Sequence, residues 1–359
     1  MKLARPFGAL LIVVVLAGCR QAPPASPAVA PLPVPLAAQN TVFPPSARPV
    51  DNPLTTAKVE LGRQLFFDPV LSASNAMSCA TCHHPDLGFS NGAPISTPRP
   101  GAPGRNVMSL WNTAFNRQLT WDGHVESLEQ QALDPLTLPH EMASVGSDVE
   151  AKLQAIPAYV DLFAAAFGAD DESIRFTNVT RALAAFQRTL IANNTPFDRY
   201  VAGDTAALTP AQQRGMTLFF SNRTHCAECH LAPAFTQETF RVIGVPSDDA
   251  GRAGVSASGL FGAFKIPTLR NVALSAPYMH NGSLATLEDV VQFYADGAGR
   301  ANGFANVDPL LQGFSLTVEE KTDFVAFLRA LTDESALPVV PEQALSGLPA
   351  VPRLANPAR

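Results

Sequence analysis

Apolar residues along this chain recur at helical spacing. Val179, Leu183, Phe186 and Leu190 follow one another at intervals of four, three and four, which lines one face of a helix. Residues 57–67 and 210–220 also read as helices, and they end in the same run, Leu65-Phe66-Phe67 and Leu218-Phe219-Phe220. Thr317-Val-Glu-Glu320 is a capping box opening a helix whose Phe324, Phe327, Leu328 and Leu331 pack inward. Thr286-Leu-Glu-Asp289 opens another, with Leu287, Val290, Val291 and Tyr294 on one side. No stretch alternates well enough to predict a strand. The expected fold is mainly α.

Both ends break the pattern. Residues 1–20 carry Lys2 and Arg5, then an apolar run from Ala9 to Leu16. The run is too short to span a bilayer and reads as an export signal. It closes on Leu16-Ala17-Gly18-Cys19, small residues before a cysteine, which look like a bacterial lipobox. Cys19 would then be the acylated first residue once residues 1–18 are removed; the alternative is an ordinary signal peptide with a stray cysteine. Residues 19–45, rich in Pro and Ala, read as an extended tether, and the Pro-rich tail of residues 336–359 as poorly ordered. Between them, residues 46–205 and 206–335 form the two expected domains.

Composition adds bounds. The 359 residues, 47% hydrophobic, suffice for two sizeable cores. A net charge of −6 argues against nucleic acid as a partner and is compatible with a basic redox protein. The expected location is the bacterial periplasm, with the lipid at Cys19 holding the chain to a membrane.

The cysteines carry the chemistry. Four of the five fall in two copies of one motif, Cys79-Ala-Thr-Cys82-His83 and Cys226-Ala-Glu-Cys229-His230. In a C-x-x-C-H site two thiols take the vinyl groups of a haem and the adjacent histidine supplies the proximal iron ligand. Structural zinc is the alternative, and it needs four ligands per site in roughly tetrahedral array. Two copies in an exported chain favour two covalent c-type haems, one per domain. The matching Leu-Phe-Phe runs ahead of them suggest related modules.

With these residues in view, the chain resembles the bacterial di-haem cytochrome c peroxidase and MauG family over residues 52–331. The strings that carry the resemblance are Pro85-Asp-Leu-Gly-Phe-Ser-Asn-Gly92, Arg105-Asn106, Trp121-Asp122-Gly123, Leu128-Glu-Gln-Gln-Ala132 and Pro135 through Glu141-Met142. Lys265-Ile-Pro-Thr-Leu-Arg-Asn271 and Ala276-Pro-Tyr-Met-His-Asn-Gly282 follow in the second half. The resemblance implies a peroxide-reacting first haem on His83. Glu141 would be the distal acid, moving a proton between the peroxide oxygens, with Gln131 and Pro135 lining the same pocket. Trp121 would stand between the haems as a stepping stone for electrons. Asn106, with the backbone carbonyls of Ser275 and Pro277, would match a calcium site. Apart from this context, Glu141 reads as a solvated loop residue and Trp121 as core.

The sixth ligands depart from the usual pattern. Peroxidases that need reductive activation cap the first haem with a histidine after the C-x-x-C-H motif, and residues 85–105 contain none. His84 adjoins His83 and is not expected to reach the other haem face. The second haem of typical peroxidases takes a methionine fourteen residues beyond the position of His280; here that residue is Tyr294, as in MauG. A phenolate is a harder, anionic ligand that lowers the potential. The alternative leaves Tyr294 in the core, with Met279 or water as ligand. His124 stands where the family usually has arginine, so the propionate contact normally made there is not carried over. His140 is a candidate for the distal pocket, and His225 reads as a surface residue.

These readings imply a hydrogen-peroxide-dependent oxidoreductase. A small redox protein, a cytochrome c or cupredoxin, would supply its electrons through the second haem. The alternative is MauG-like oxidation of Trp or Tyr side chains of a protein substrate. A non-enzymatic electron carrier stands third.

Overall fold

The computed structural model describes residues 49–354 apart from 97–102, 171 and 305, together with Met1, Pro35 and Phe43. Cys19, the export signal and most of the tether lie outside the described residues. No helix among the described residues is long and apolar enough to cross a membrane.

The first half is built on α1 (Thr56–Phe67), followed by the one-turn α2 (Cys79–Cys82) that carries the first cysteine pair. Two short helices, α3 (Leu128–Gln131) and α4 (Leu133–Thr137), lead to α5 (Gly146–Gln154), α6 (Pro157–Phe167) and α7 (Phe176–Gln187). The four-three-four spacing of the sequence lies in and just beyond α7. Val179, Leu183, Phe186 and Leu190 are all buried, in one cluster with Leu61, Leu65, Phe66 and Phe67 of α1.

The second half repeats the plan. After α8 (Pro196–Val201) come α9 (Pro210–Phe219) and a second one-turn helix, α10 (Cys226–Cys229). Then follow α11 (Leu287–Ala295) and α12 (Val318–Arg329), both opened by the capping boxes read in the sequence, at Thr286 and Thr317. Phe219, Phe235, Phe324, Phe327 and Leu331 centre this second core. The clusters change over between Ala192 and Phe197.

Two expectations are corrected. A short antiparallel ribbon exists, β1 (Phe240–Val242) paired with β2 (Ala263–Lys265), too brief to announce itself by alternation. The Pro-rich tail is not loose over its described part: Ala336, Val340, Leu345, Leu348 and Val351 pack against the first core. Ser346 donates its backbone N–H and its hydroxyl to Asp68 at 3.0 and 2.6 Å, which gives a segment without helix or strand a fixed course.

Candidate functional site: two matched cavities

Each cysteine pair lies on one helical turn, so both sulfurs share a side and the following histidine leaves the turn with the same backbone angles in both copies. His83 has φ −111° and ψ 70°, His230 φ −107° and ψ 66°. The backbone N–H of each bonds the carbonyl of the first cysteine at 2.9 Å. The two sites are thus the same local structure built twice.

The imidazoles are oriented alike as well. His83 Nδ1 donates to the Phe89 carbonyl at 2.9 Å, and His230 Nδ1 to the Phe235 carbonyl at 3.0 Å. That bond fixes the tautomer and leaves Nε2 as the metal-binding atom. Burial lowers the pKa of His83, and that of His230 to about 4, so both rings are neutral as ligation requires. Phe89 and Phe235 are themselves left-handed, with φ 59° and 54°, an uncommon state for an aromatic residue.

A cavity of about 690 Å³ opens over the first site and one of about 220 Å³ over the second. Cys79, Cys82, His83, Trp121, Gln131, Pro135 and Glu141 all line the first. Cys226, Cys229, His230, Tyr294 and Met279 line the second, together with Asn106, Ser275 and Pro277. The sequence-predicted residues are therefore gathered as two groups, with Trp121 and Asn106 in the wall of both. Trp121 Nε1 donates to the Asn106 carbonyl at 2.9 Å, and Asn106 N–H to the His280 carbonyl at 2.7 Å.

The remaining histidines sort themselves. His84 turns away, its Nε2 3.1 Å from the Pro352 carbonyl of the tail. His124 lines the first cavity with Nδ1 2.6 Å from Asp122 Oδ1. Arg105 bridges Asp122 to Asp249 at 2.6 Å on each side. Burial would raise the Asp122 pKa, yet its bonds to His124 and Arg105 hold it well below the usual carboxylate range. His140 is not among the residues lining the first cavity; its Nε2 lies 3.9 Å from Glu141 Oε1. His225 is partly exposed, as expected of a surface residue; it pairs with Glu228 at 2.5 Å and also borders the second cavity.

Some residues were not legible as functional. Lys265 is 2% exposed and lines both cavities, with Glu238 at 3.3 Å; burial lowers its pKa. Trp111 lines the second cavity. The sequence offered only the string around Lys265, and for Trp111 nothing beyond its being one of two tryptophans.

The donor set fits haem better than zinc. Burial pushes the Cys79 and Cys226 thiols up to about 12, the reverse of what a thiolate site needs. Among the described residues no group of three or more His, Cys, Asp or Glu is placed to hold a metal ion. Trp111 Nε1 and His280 Nε2 are buried in cavity walls without a protein partner, open to the carboxylates of a large apolar ligand. Two C-x-x-C-H turns, each with an oriented imidazole under its own cavity, define a di-haem c-type protein.

Comparison with known proteins agrees. Residues 56–206 match the family of di-haem cytochrome c peroxidases. The methylamine utilization protein MauG of Methylophilus methylotrophus is 40% identical over 303 residues, covering 82% of this chain and 89% of that protein. The cytochrome c551 peroxidase of Pseudomonas aeruginosa is 33% identical, with 78% of this chain and 80% of that protein covered. A solved MauG-like protein associated with microbial copper homeostasis superposes with a TM-score of 0.75 at 35% identity, over 82% of this chain and 95% of its own. The chain belongs to the di-haem cytochrome c peroxidase and MauG family, and is an enzyme of that class.

Proposed function

We propose that the protein reduces hydrogen peroxide in the first cavity, drawing two electrons from a small redox protein by way of the second site. The balance is H2O2 + 2 H⁺ + 2 e⁻ → 2 H2O. When bound, the two haems supply the iron-centred electron transfer and O–O cleavage. Cys79, Cys82 and His83 hold one haem, and Cys226, Cys229 and His230 the other. Glu141 takes a proton from one peroxide oxygen and delivers it to the leaving one. Gln131 and Pro135 shape the wall beside it. Trp121, common to both cavities, offers an indole between them.

The observation that carries this reading is the contrast between the distal walls. Glu141 and Gln131 line the roomier first cavity, whereas the narrower second one holds the Tyr294 phenol. Tyr294 rises from a regular helix, while Met279 sits in a tight turn at φ 74°, which supports the tyrosine as the side chain that would ligate the second haem's iron. Asn106 Oδ1 and the Ser275 and Pro277 carbonyls would hold a calcium ion; Asn106 Nδ2 donates to Ala93 O at 2.9 Å, which is consistent with Oδ1 as the ligand atom. In this reading the chain forms two haem domains whose cores change over between Ala192 and Phe197, ahead of the 205/206 boundary expected from sequence, and a lipid on Cys19 holds the enzyme at a periplasmic membrane surface.

The test is peroxide consumption by the holoprotein with a reduced small cytochrome c or cupredoxin. Two equivalents of donor should be oxidised per peroxide. Glu141→Gln should cut the rate about 100-fold or more, with both haems retained. An unchanged rate removes Glu141 from the chemistry.

Tyr294 and the MauG relatives favour a second reading, in which the electrons come from Trp or Tyr side chains of a partner protein. Peroxide would then oxidise such a partner while small redox proteins remain poor donors. A simple electron carrier fits less well, since it has no use for a carboxylate-lined cavity.

A further inference from the structure

The turn that presents the Phe89 carbonyl to His83 is strained. Gly88 and Phe89 are both left-handed, at φ 62° and 59°. For a residue with a Cβ this conformation is unfavourable and persists only where the surroundings enforce it. Phe89 is fully buried, edge-on to Trp111 at 5.2 Å.

Part of that enforcement comes from the far end of the chain. Asp86 lies in the same turn, 4% exposed. Its Oδ2 accepts Arg353 Nε at 2.9 Å and the Leu354 N–H at 2.8 Å, and Arg353 Nη2 closes on Oδ1. His84 Nε2 reaches the Pro352 carbonyl beside them. Higher up, Asp68 accepts both Ser346 and the Tyr159 hydroxyl, the latter at 2.7 Å. Two buried carboxylates of the first module thus receive the tail.

The second module braces its equivalent turn from within. Arg270 Nε donates to the Pro233 carbonyl at 2.7 Å, and both its Nη atoms bond Asp198 at 2.7 Å. No tail residue takes part in these contacts.

We infer that Arg353 and Asp86 are positioning residues for the first haem alone: through the 85–89 turn they set the His83 Nδ1 bond to Phe89, and so the donor strength of His83. The inference rests on the haem reading of the first cavity. A firm Nδ1–H···O=C bond makes the imidazole a stronger donor and lowers the iron potential; slackening it raises the potential.

The test uses the full-length holoprotein, with haem content measured first. In Arg353→Ala, EPR and a redox titration resolved by haem should show the first haem's signal shifted and its potential raised. The second haem should be unchanged, and Arg353→Lys should move the first back toward wild type. A chain ending at Ser335 should shift the first haem at least as far. Wild-type signals from the first haem in both variants overturn the inference, and so do equal shifts at both haems, which mean general loosening. A wild-type protein lacking haem at Cys79 and Cys82 overturns the haem reading itself, before any variant is made.

Discussion

Gly62 and Gly215 occupy the same place in the two halves of the chain. A Cβ on Gly62 would sit 1.9 Å from the Ala182 carbonyl oxygen, and one on Gly215 2.0 Å from that of Asp323. Each glycine lets the helix ahead of a haem motif press onto the backbone of its partner, α1 on α7 and α9 on α12. Phe186 and Phe327 lie next to the two crossings in turn, with their Cβ atoms 2.9 and 2.8 Å from the added carbon. Each glycine is followed by the Leu-Phe-Phe run that fills the core beneath its cavity, so the sequence reads Gly-x-x-Leu-Phe-Phe twice.

Alanine at either position should therefore force a helix pair apart. Gly62→Ala and Gly215→Ala are each expected to cost about 1–3 kcal/mol, the range for overpacking a tight core. Denaturant unfolding of the holoprotein checks this. Neutral substitutions at both sites would mean that the crossings yield more easily than the backbone contacts indicate.

Tyr294 lies near the end of α11 and lines the second cavity, and burial pushes its phenol pKa upward, which favours the neutral phenol. Tyr294→Phe should alter the spectrum of the second haem only and raise its potential by on the order of 100 mV or more, as an anionic oxygen donor is lost. An unaltered second-haem spectrum would leave Met279 or water as the ligand.

Local patterns made the haem turns, the capping boxes and the α7 face legible, because each is complete within a dozen residues. Contacts that close over long sequence separations left no such trace. The tail looks disordered by composition, and what fixes it is a pair of buried carboxylates, Asp68 and Asp86, more than 250 residues upstream. Lys265 becomes shared wall only once two modules meet. The repeated Gly-x-x-Leu-Phe-Phe was present in the sequence, but the role of its glycine needs the partner helix.

His124 gives the first cavity a pH dependence that arginine would not. Its bond to Asp122 raises its pKa first of all, with Asp134 3.5 Å away on the other ring nitrogen and Thr120 at 3.0 Å. The folded state thus holds this proton more tightly than the unfolded chain. The resulting stability is full below about pH 6.5 and is lost as pH rises through the raised folded value. Between pH values of about 6 and 9, wild-type Tm should fall more than that of His124→Gln. Parallel curves for the two proteins would mean that the pair contributes nothing to stability.

Trp121 joins the two sites most directly. Its indole lines both cavities, donates to the Asn106 carbonyl and lies edge-on to Phe264 at 6.5 Å, while its own carbonyl accepts the Lys265 N–H at 2.8 Å. Phenylalanine there keeps an aromatic filling but removes the N–H bond, worth about 1 kcal/mol, and leaves a ring far harder to oxidise. If electrons step through the indole, Trp121→Phe should slow donor oxidation by about tenfold or more, a barrier increase of about 1.4 kcal/mol. The first haem's immediate spectral response to peroxide should keep its wild-type rate, because Glu141 and His83 are untouched. Stopped-flow spectra and steady-state turnover, taken on the same protein, separate the two steps. A wild-type turnover would mean that electrons cross without Trp121, whose role would then be to hold the Asn106 loop in place.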